Sequence, residues 1–266
     1  MTEHVEGRLL IIGGAEDKQK ECKILKRFVQ ESGGKESCIT VLTAATELPR
    51  QVGNEYRSLF TDLGAREVQV LDVSDRNQAN SHEIGKHFET STGVFFTGGD
   101  QLRITGLIGG TLLGGMLQQL YEKGIIIAGT SAGASAMSDT MIVGGEAGTA
   151  KKDILTMAPG LGLLRSVVVD QHFAQRGRIG RLLSAIAQNP YVLGVGIDED
   201  TAILVQSNAL FSVVGSNTVT VADASSSMAT NVSETKPGQS LVLSPILMHV
   251  LSDGYGFDLK HRVSVL

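Results

Sequence analysis

Ser131 sits in Gly129-Thr130-Ser131-Ala132-Gly133, a G-x-S-x-G spacing that can press a serine hydroxyl outward at a tight strand-to-helix turn. Its neighbours are small because such a turn brings adjacent backbone close together. The same pentapeptide also occurs where a serine merely caps a helix. The apolar run Gly124-Ile-Ile-Ile-Ala128 directly upstream reads as a buried strand and favours the turn, which makes Ser131 the candidate nucleophile.

A serine hydroxyl needs a base, and the base needs an acid to orient it. Of six histidines, His172 directly follows Ser166-Val-Val-Val-Asp170, which puts it at the carboxyl end of a strand, the edge where open α/β sheets bind ligands. His4 lies near the N-terminus, His82 and His87 in a polar helix, His249 in a late apolar strand and His261 in a charged tail. Asp198-Glu199-Asp200 closes the next strand. Alternation sends Asp198 and Asp200 one way and Glu199 the other, and either side could face the imidazole. A competing set, Ser131 with Asp198 and His249, follows the chain order of α/β-hydrolases. The expected oxyanion donors are the backbone N–H of Ala132, next after the nucleophile, and that of Gly99 in Thr97-Gly-Gly-Asp-Gln101. Asp170, Gln171, Arg176, Arg178 and Arg181 crowd around His172, and Gln101 adjoins the oxyanion loop. Guanidinium and carboxylate groups in one pocket suit a substrate that carries both charges. Arg181, inside a helix, is the arginine expected in solvent.

The elements that must position these residues alternate. Strands are expected at Arg8–Ile12, Ser37–Thr43, Glu67–Val73, Gly93–Phe96 and Gly124–Ala128. Helices are expected at Asp17–Glu31, after Pro49, at Ser81–Glu89 and, broken by glycines, over Ile104–Leu120. This βαβα order argues for an α/β fold, a doubly wound and mostly parallel sheet with helices on both faces and a nucleophile elbow. Strands at Ser166–Asp170 and Val192–Asp198 flank a helix near Ile179–Ala187. After Thr201 come short strands at Ala202–Val205, Ala209–Val214, Thr218–Ala222, Leu241–Leu243 and Met248–Leu251, expected to extend the sheet antiparallel or form a small β appendage. Segment 141–164, rich in glycine and carrying Lys151-Lys152, reads as a lid or a dimer contact. No linker interrupts the pattern, so residues 1–266 read as a single domain.

Composition narrows the function. A chain of 266 residues, 42% hydrophobic, can bury a sizeable core. Its net charge of −5 and lack of a Lys/Arg run give no footprint for nucleic acid. Two cysteines without metal-ligand spacing argue against a zinc site or disulfide framework and for reduced thiols in a cytoplasmic protein. Gly13-Gly14-Ala15-Glu16-Asp17 lacks the G-x-G-x-x-G spacing of a dinucleotide loop, so no cofactor is expected. Met1–Glu6 shows no signal peptide, and Ile104–Leu120 is too short and broken for a membrane span.

Four motifs together resemble those of cyanophycinases: Thr97-Gly-Gly-Asp-Gln101, Gly129-Thr-Ser-Ala-Gly-Ala-Ser135, Asp170-Gln-His-Phe173 with Arg176-Gly-Arg178-Ile-Gly-Arg181, and Gly196-Ile-Asp-Glu-Asp-Thr-Ala202. More distantly they resemble aspartyl dipeptidases of the dipeptidase E type, and the likeness extends to Gly254-Tyr-Gly-Phe-Asp-Leu259. The resemblance implies a serine-type exopeptidase in which Ser131 is the nucleophile, His172 the base and Glu199 the orienting acid. It implies cyanophycin as substrate, a poly-aspartate with arginine on each side-chain carboxylate, released as β-Asp-Arg dipeptides. Gln101, Asp170, Gln171, Arg178 and Arg181 then fall in the substrate cleft, and the protein is expected to be a cytoplasmic homodimer. The alternative is a dipeptidase for α- or β-aspartyl peptides.

Overall fold

Five apolar runs in the first half become strands whose two sets of alternate side chains are buried by different helices. The computed structural model describes residues 7–265. Strands β1 (Leu9–Ile12), β2 (Cys38–Leu42), β3 (Glu67–Leu71), β4 (Gly93–Phe96) and β5 (Ile126–Thr130) lie parallel in the order β1-β5-β4-β2-β3. Between them run α1 (Lys23–Glu31), α2 (Pro49–Asp62), α3 (Arg76–Ala79), α4 (Gln101–Ile108) and α5 (Leu112–Glu122). Leu10 and Ile12 of β1 pack in one cluster with Leu25 and Phe28 of α1 and Tyr56 and Phe60 of α2. Leu9 and Ile11 join the opposite cluster with Ile104 and Ile108 of α4 and Leu113 and Leu117 of α5. Chain order explains the split. Crossovers of one hand that run outward from β1 to β3 and then back to β5 must put their helices on opposite faces.

Two helices differ from the sequence pattern. Helix α1 starts six residues later than expected because Asp17 accepts the N–H groups of Gln19, Lys20 and Cys22, wrapping 17–22 into a turn. Those donors hold the Asp17 carboxyl down at about 2. His82–Phe88 is a 3-10 helix rather than an α-helix. Glycines divide Ile104–Leu120 into α4 and α5, and no helix among the described residues is long and apolar enough to cross a membrane. His4 and the rest of Met1–Glu6 lie outside the described residues.

The second half contributes α6 (Ala132–Ala136), β6 (Thr140–Gly145), β7 (Leu155–Pro159), β8 (Val167–Gln171), α7 (Ile179–Gln188), β9 (Leu193–Ile197), β10 (Thr201–Val205), β11 (Leu210–Gly215) and β12 (Val219–Asp223). The chain ends with β13 (Ala229–Thr230), β14 (Leu243–Ser244), β15 (Leu247–Leu251), β16 (Gly256–Asp258) and β17 (Val263–Val265). Strands β10 and β11 extend the main sheet antiparallel beyond β1, as expected, and β16 and β17, which the sequence pattern did not mark, carry it on to nine strands.

Strands β8 and β9 do not join that sheet. With β12 and β15 they form a second sheet of four, ordered β15-β12-β9-β8. Val167, Val169, Val195 and Ile197 share a core with Ile203, Val205 and Val213 of the main sheet. Val168 packs on the other side with Leu182 and Ile186 of α7. A strand buried on both faces in a second layer has the same apolar run as a central strand, so sequence pattern does not separate the two. Segment 141–164, expected as a lid or a dimer contact, is ordered as strands and turns. It holds the β6–β7 hairpin, with Met141 and Ile142 buried and a register shift between Ile142 and Gly144.

Candidate active site

The elbow is built by sterics. Ser131 lies between β5 and α6 at φ 53°, ψ −108°, a conformation that few side-chain-bearing residues adopt. A Cβ at Gly129 would come within 2.6 Å of the Gly133 backbone, and one at Gly133 within 2.7 Å of the Phe96 carbonyl oxygen. Both positions therefore exclude any side chain. The Ser131 N–H donates to the Ile12 carbonyl at 3.0 Å, tying the turn to the end of β1.

His172 reaches this hydroxyl from the second sheet. It follows β8 at φ 48°, and its N–H donates to the Gly13 carbonyl at 2.8 Å. Its ring lies over Gly14, where a Cβ would fall 2.4 Å from two ring atoms. Ser131 Oγ stands 3.0 Å from His172 Nε2, and His172 Nδ1 stands 2.6 Å from Glu199 Oε1. The carboxylate can only accept, so Nδ1 carries the proton and Nε2 is left to receive one from Ser131. The Glu199 N–H donates to Gln175 Oε1 at 3.0 Å, which fixes the acid in turn.

Burial pushes the His172 imidazole below its usual range. The Arg176 and Arg178 charges push the same way, against the opposing pull of Glu199. The neutral ring is the form that can accept a proton. Activity that depends on it is present at neutral pH and lost as pH falls through the lowered imidazole pKa. Removing the Arg176 cation should move the acid limb of kcat/KM upward, because one of the charges disfavouring imidazolium is gone. A pH–rate profile of Arg176→Ala beside the unaltered protein checks the direction.

The other acids are occupied elsewhere. Asp198 accepts from the Ala174 N–H at 2.9 Å and from the Thr218 hydroxyl at 2.8 Å. Asp200 accepts from the Asp17 N–H at 2.8 Å and from Ser216 Oγ at 2.5 Å. Strand β9 ends at Ile197, so this acidic run is a turn and strict alternation does not govern it. Nor does the competing set assemble. His249 lies on β15 opposite Val221, its ring 5.0 Å from that of Phe257, while His172 takes the place beside Ser131.

Around the relay the expected residues divide. Ala132 opens α6 directly after Ser131. The Gly98–Gly99 turn passes beside the serine: a Cβ at Gly98 would touch the Ser131 Cβ at 3.5 Å. Gly99, at φ 144°, leaves no room for a side chain against the Ala45 carbonyl. Gln101 is buried, and its amide donates to the Ile142 and Val143 carbonyls at 2.9 Å each, anchoring the β6–β7 hairpin beside the site. Arg181 is not in solvent. It is buried with Asp170 in a two-pronged ion pair, with Nε 2.9 Å from Oδ2 and the second prong closing on Oδ1. Helix α7 turns this residue inward, toward the carboxylate at the end of β8. Arg178 adds a third charge at 3.5 Å from Asp170 and donates to Gln171 Oε1 at 3.1 Å. Of the five proposed cleft residues it alone is not fully buried, and burial pushes its pKa down to about 10.

Breaking one side of a buried pair leaves the other charge stranded. Asp170→Asn should therefore lower stability by about 3–5 kcal/mol, read as a fall in the urea midpoint at unchanged slope. One buried group escaped the sequence reading. Glu16 accepts from Tyr56 Oη at 2.5 Å and from Thr130 Oγ1 at 2.6 Å, directly before Ser131. An acid placed after a strand-ending Gly-Gly-Ala was the available signal. Among the described residues, no group of three or more His, Cys, Asp or Glu side chains is arranged to hold a metal ion.

Known proteins share this arrangement of chain. The Peptidase family S51 model matches residues 9–213. A cyanophycinase of Geminocystis herdmanii is 38% identical over 262 residues, spanning 98% of this chain and 96% of that one. A cyanophycinase of Trichormus variabilis is 39% identical over 256 residues, spanning 96% and 86%. Among solved structures, a peptidase from an acI-B1 Actinobacterium superposes with a TM-score of 0.69 at 20% identity, covering 96% of this chain and 98% of that one. Sequence likeness over nearly its whole length and the shared fold lead to one conclusion: the chain belongs to peptidase family S51.

Proposed function

We propose that this peptidase is a cyanophycinase, hydrolysing cyanophycin to β-Asp-Arg dipeptides through an acyl-enzyme on Ser131. The observation that carries the serine mechanism is the continuous relay from Ser131 Oγ through the His172 ring to Glu199. The substrate rests on the cyanophycinases that resemble this chain at 38–39% identity. In this reading His172 Nε2 takes the proton of Ser131, and Oγ attacks the scissile backbone carbonyl. The N–H groups of Ala132 and Gly99 receive the oxyanion. His172 then passes its proton to the leaving amine. A water, deprotonated by the same imidazole, hydrolyses the acyl-enzyme and restores Ser131. Glu199 holds the tautomer and balances the imidazolium.

Gln101, Asp170, Gln171, Arg178 and Arg181 form the substrate cleft. The Asp170–Arg181 pair serves as its fixed floor and Arg178 as the accessible charge for a substrate carboxylate. The protein works as a single-domain homodimer in the cytoplasm, a stoichiometry that light scattering on the purified chain tests. Incubation with purified cyanophycin, followed by mass analysis, should yield β-Asp-Arg dipeptide. Faster release from short Asp-X dipeptides than from the polymer would instead make it an aspartyl dipeptidase.

A further inference from the structure

Glu16 is buried beside the elbow yet belongs to neither the relay nor the Asp170 cluster. Its side chain is 3% exposed, with Lys18 Nζ 4.0 Å away. A carboxylate taken out of water persists only where charge-assisted hydrogen bonds replace its hydration. Here Thr130 Oγ1 and Tyr56 Oη supply them, at 2.6 and 2.5 Å. Burial first, then the charge of Glu16, push the Tyr56 phenol well above its usual range, so it stays a donor.

The turn that carries Glu16 holds the base directly and, on the acid side, Asp200, the residue after Glu199. The Gly13 carbonyl accepts the His172 N–H at 2.8 Å, and Gly14 leaves the space that the His172 ring fills. The Gly14 carbonyl accepts the Asp200 N–H at 2.9 Å, and the Asp17 N–H donates to Asp200 Oδ1 at 2.8 Å, on the residue next to Glu199. Residues 13–17 thus seat the base and anchor Asp200, the residue that follows the acid. The Glu16–Thr130 bond joins that turn to the strand end bearing the nucleophile.

We propose that Glu16 is a positioning residue for the Ser131 reaction: through Thr130 it fixes the elbow against the turn that seats His172 and anchors the segment following Glu199. The inference rests on the reading of Ser131, His172 and Glu199 as the catalytic relay. It needs no contact between Glu16 and substrate. A displacement of about 1 Å between reacting groups is enough to cost on the order of 100-fold in rate.

Three variants, Thr130→Val, Thr130→Ser and Glu16→Gln, test it on dipeptide release, on the rate of Ser131 modification by a sulfonyl fluoride, and on thermal unfolding. Thr130→Val replaces the hydroxyl with a methyl group and should lower kcat by roughly 10- to 100-fold with KM unchanged, and slow sulfonylation by the same factor. Thr130→Ser, which restores the hydroxyl, should recover both rates. Glu16→Gln should lower kcat in the unaltered background and much less in the Thr130→Val background, since both act through one contact. If Thr130→Val does not fold, Glu16→Gln and Thr130→Ser carry the comparison of kcat and sulfonylation. Unchanged kcat and sulfonylation, with only the unfolding temperature lowered, would overturn the proposal and leave Glu16 a structural residue. Absence of Ser131 labelling in the unaltered protein would instead sink the relay reading itself, and the positioning role with it.

Discussion

Ser131→Ala is expected to lower dipeptide release by about 10⁶-fold while the chain still folds and binds the polymer. The size follows from what is removed. Among the described residues no other hydroxyl is bonded to His172 Nε2, so the imidazole has nothing to activate but water, and the acyl-enzyme route closes. Folding should survive because the strained turn is enforced by Gly129 and Gly133 and by the Ser131 N–H bond to Ile12, none of which needs the hydroxyl. The measurement is single-turnover release beside a binding isotherm for the same variant. Release near the unaltered rate would refute the nucleophile.

Glu199→Gln is expected to cost on the order of 10⁴-fold in kcat, less than loss of the nucleophile. The amide can keep its contact with His172 Nδ1 but no longer balances a positive ring. It can also donate to Nδ1, which favours the tautomer whose proton sits on Nε2, facing Ser131 the wrong way. Losing this carboxylate also removes the influences that raise the His172 pKa. The remaining acid limb of the pH–rate profile should therefore move further down, opposite to the shift expected of Arg176→Ala. Asp198→Asn and Asp200→Asn provide the contrast. Their carboxylates brace Ala174, Thr218, Asp17 and Ser216, so stability should suffer more than the pH profile.

Much of this architecture can be read from periodicity and punctuation. The five parallel strands, the elbow serine and the choice of His172 follow from apolar runs bounded by glycine and from chemistry at strand ends. Four things do not. The second sheet is invisible because β8 and β9 are buried on both faces, and their valines would look the same in a central strand. The burial of Arg181 depends on Asp170, a partner eleven positions earlier in the chain that a helix-face argument ignores. The role of Glu16 is not legible because its partners Tyr56 and Thr130 lie 40 and 114 positions away, a separation that no local pattern spans. Strand alternation does not decide among Asp198, Glu199 and Asp200, because β9 ends before them. Their competing hydrogen bonds, not their order, leave Glu199 facing the ring.

In the proposed mechanism one hydroxyl in the chain is made nucleophilic by one imidazole. Treatment with a sulfonyl fluoride across a pH series, with the adduct located by peptide mass spectrometry, tests this directly. A single adduct at Ser131 is predicted, forming at a rate that falls as His172 becomes protonated and that collapses in His172→Ala. An adduct at another residue, or equal labelling of Ser131 once His172 is replaced, would contradict it.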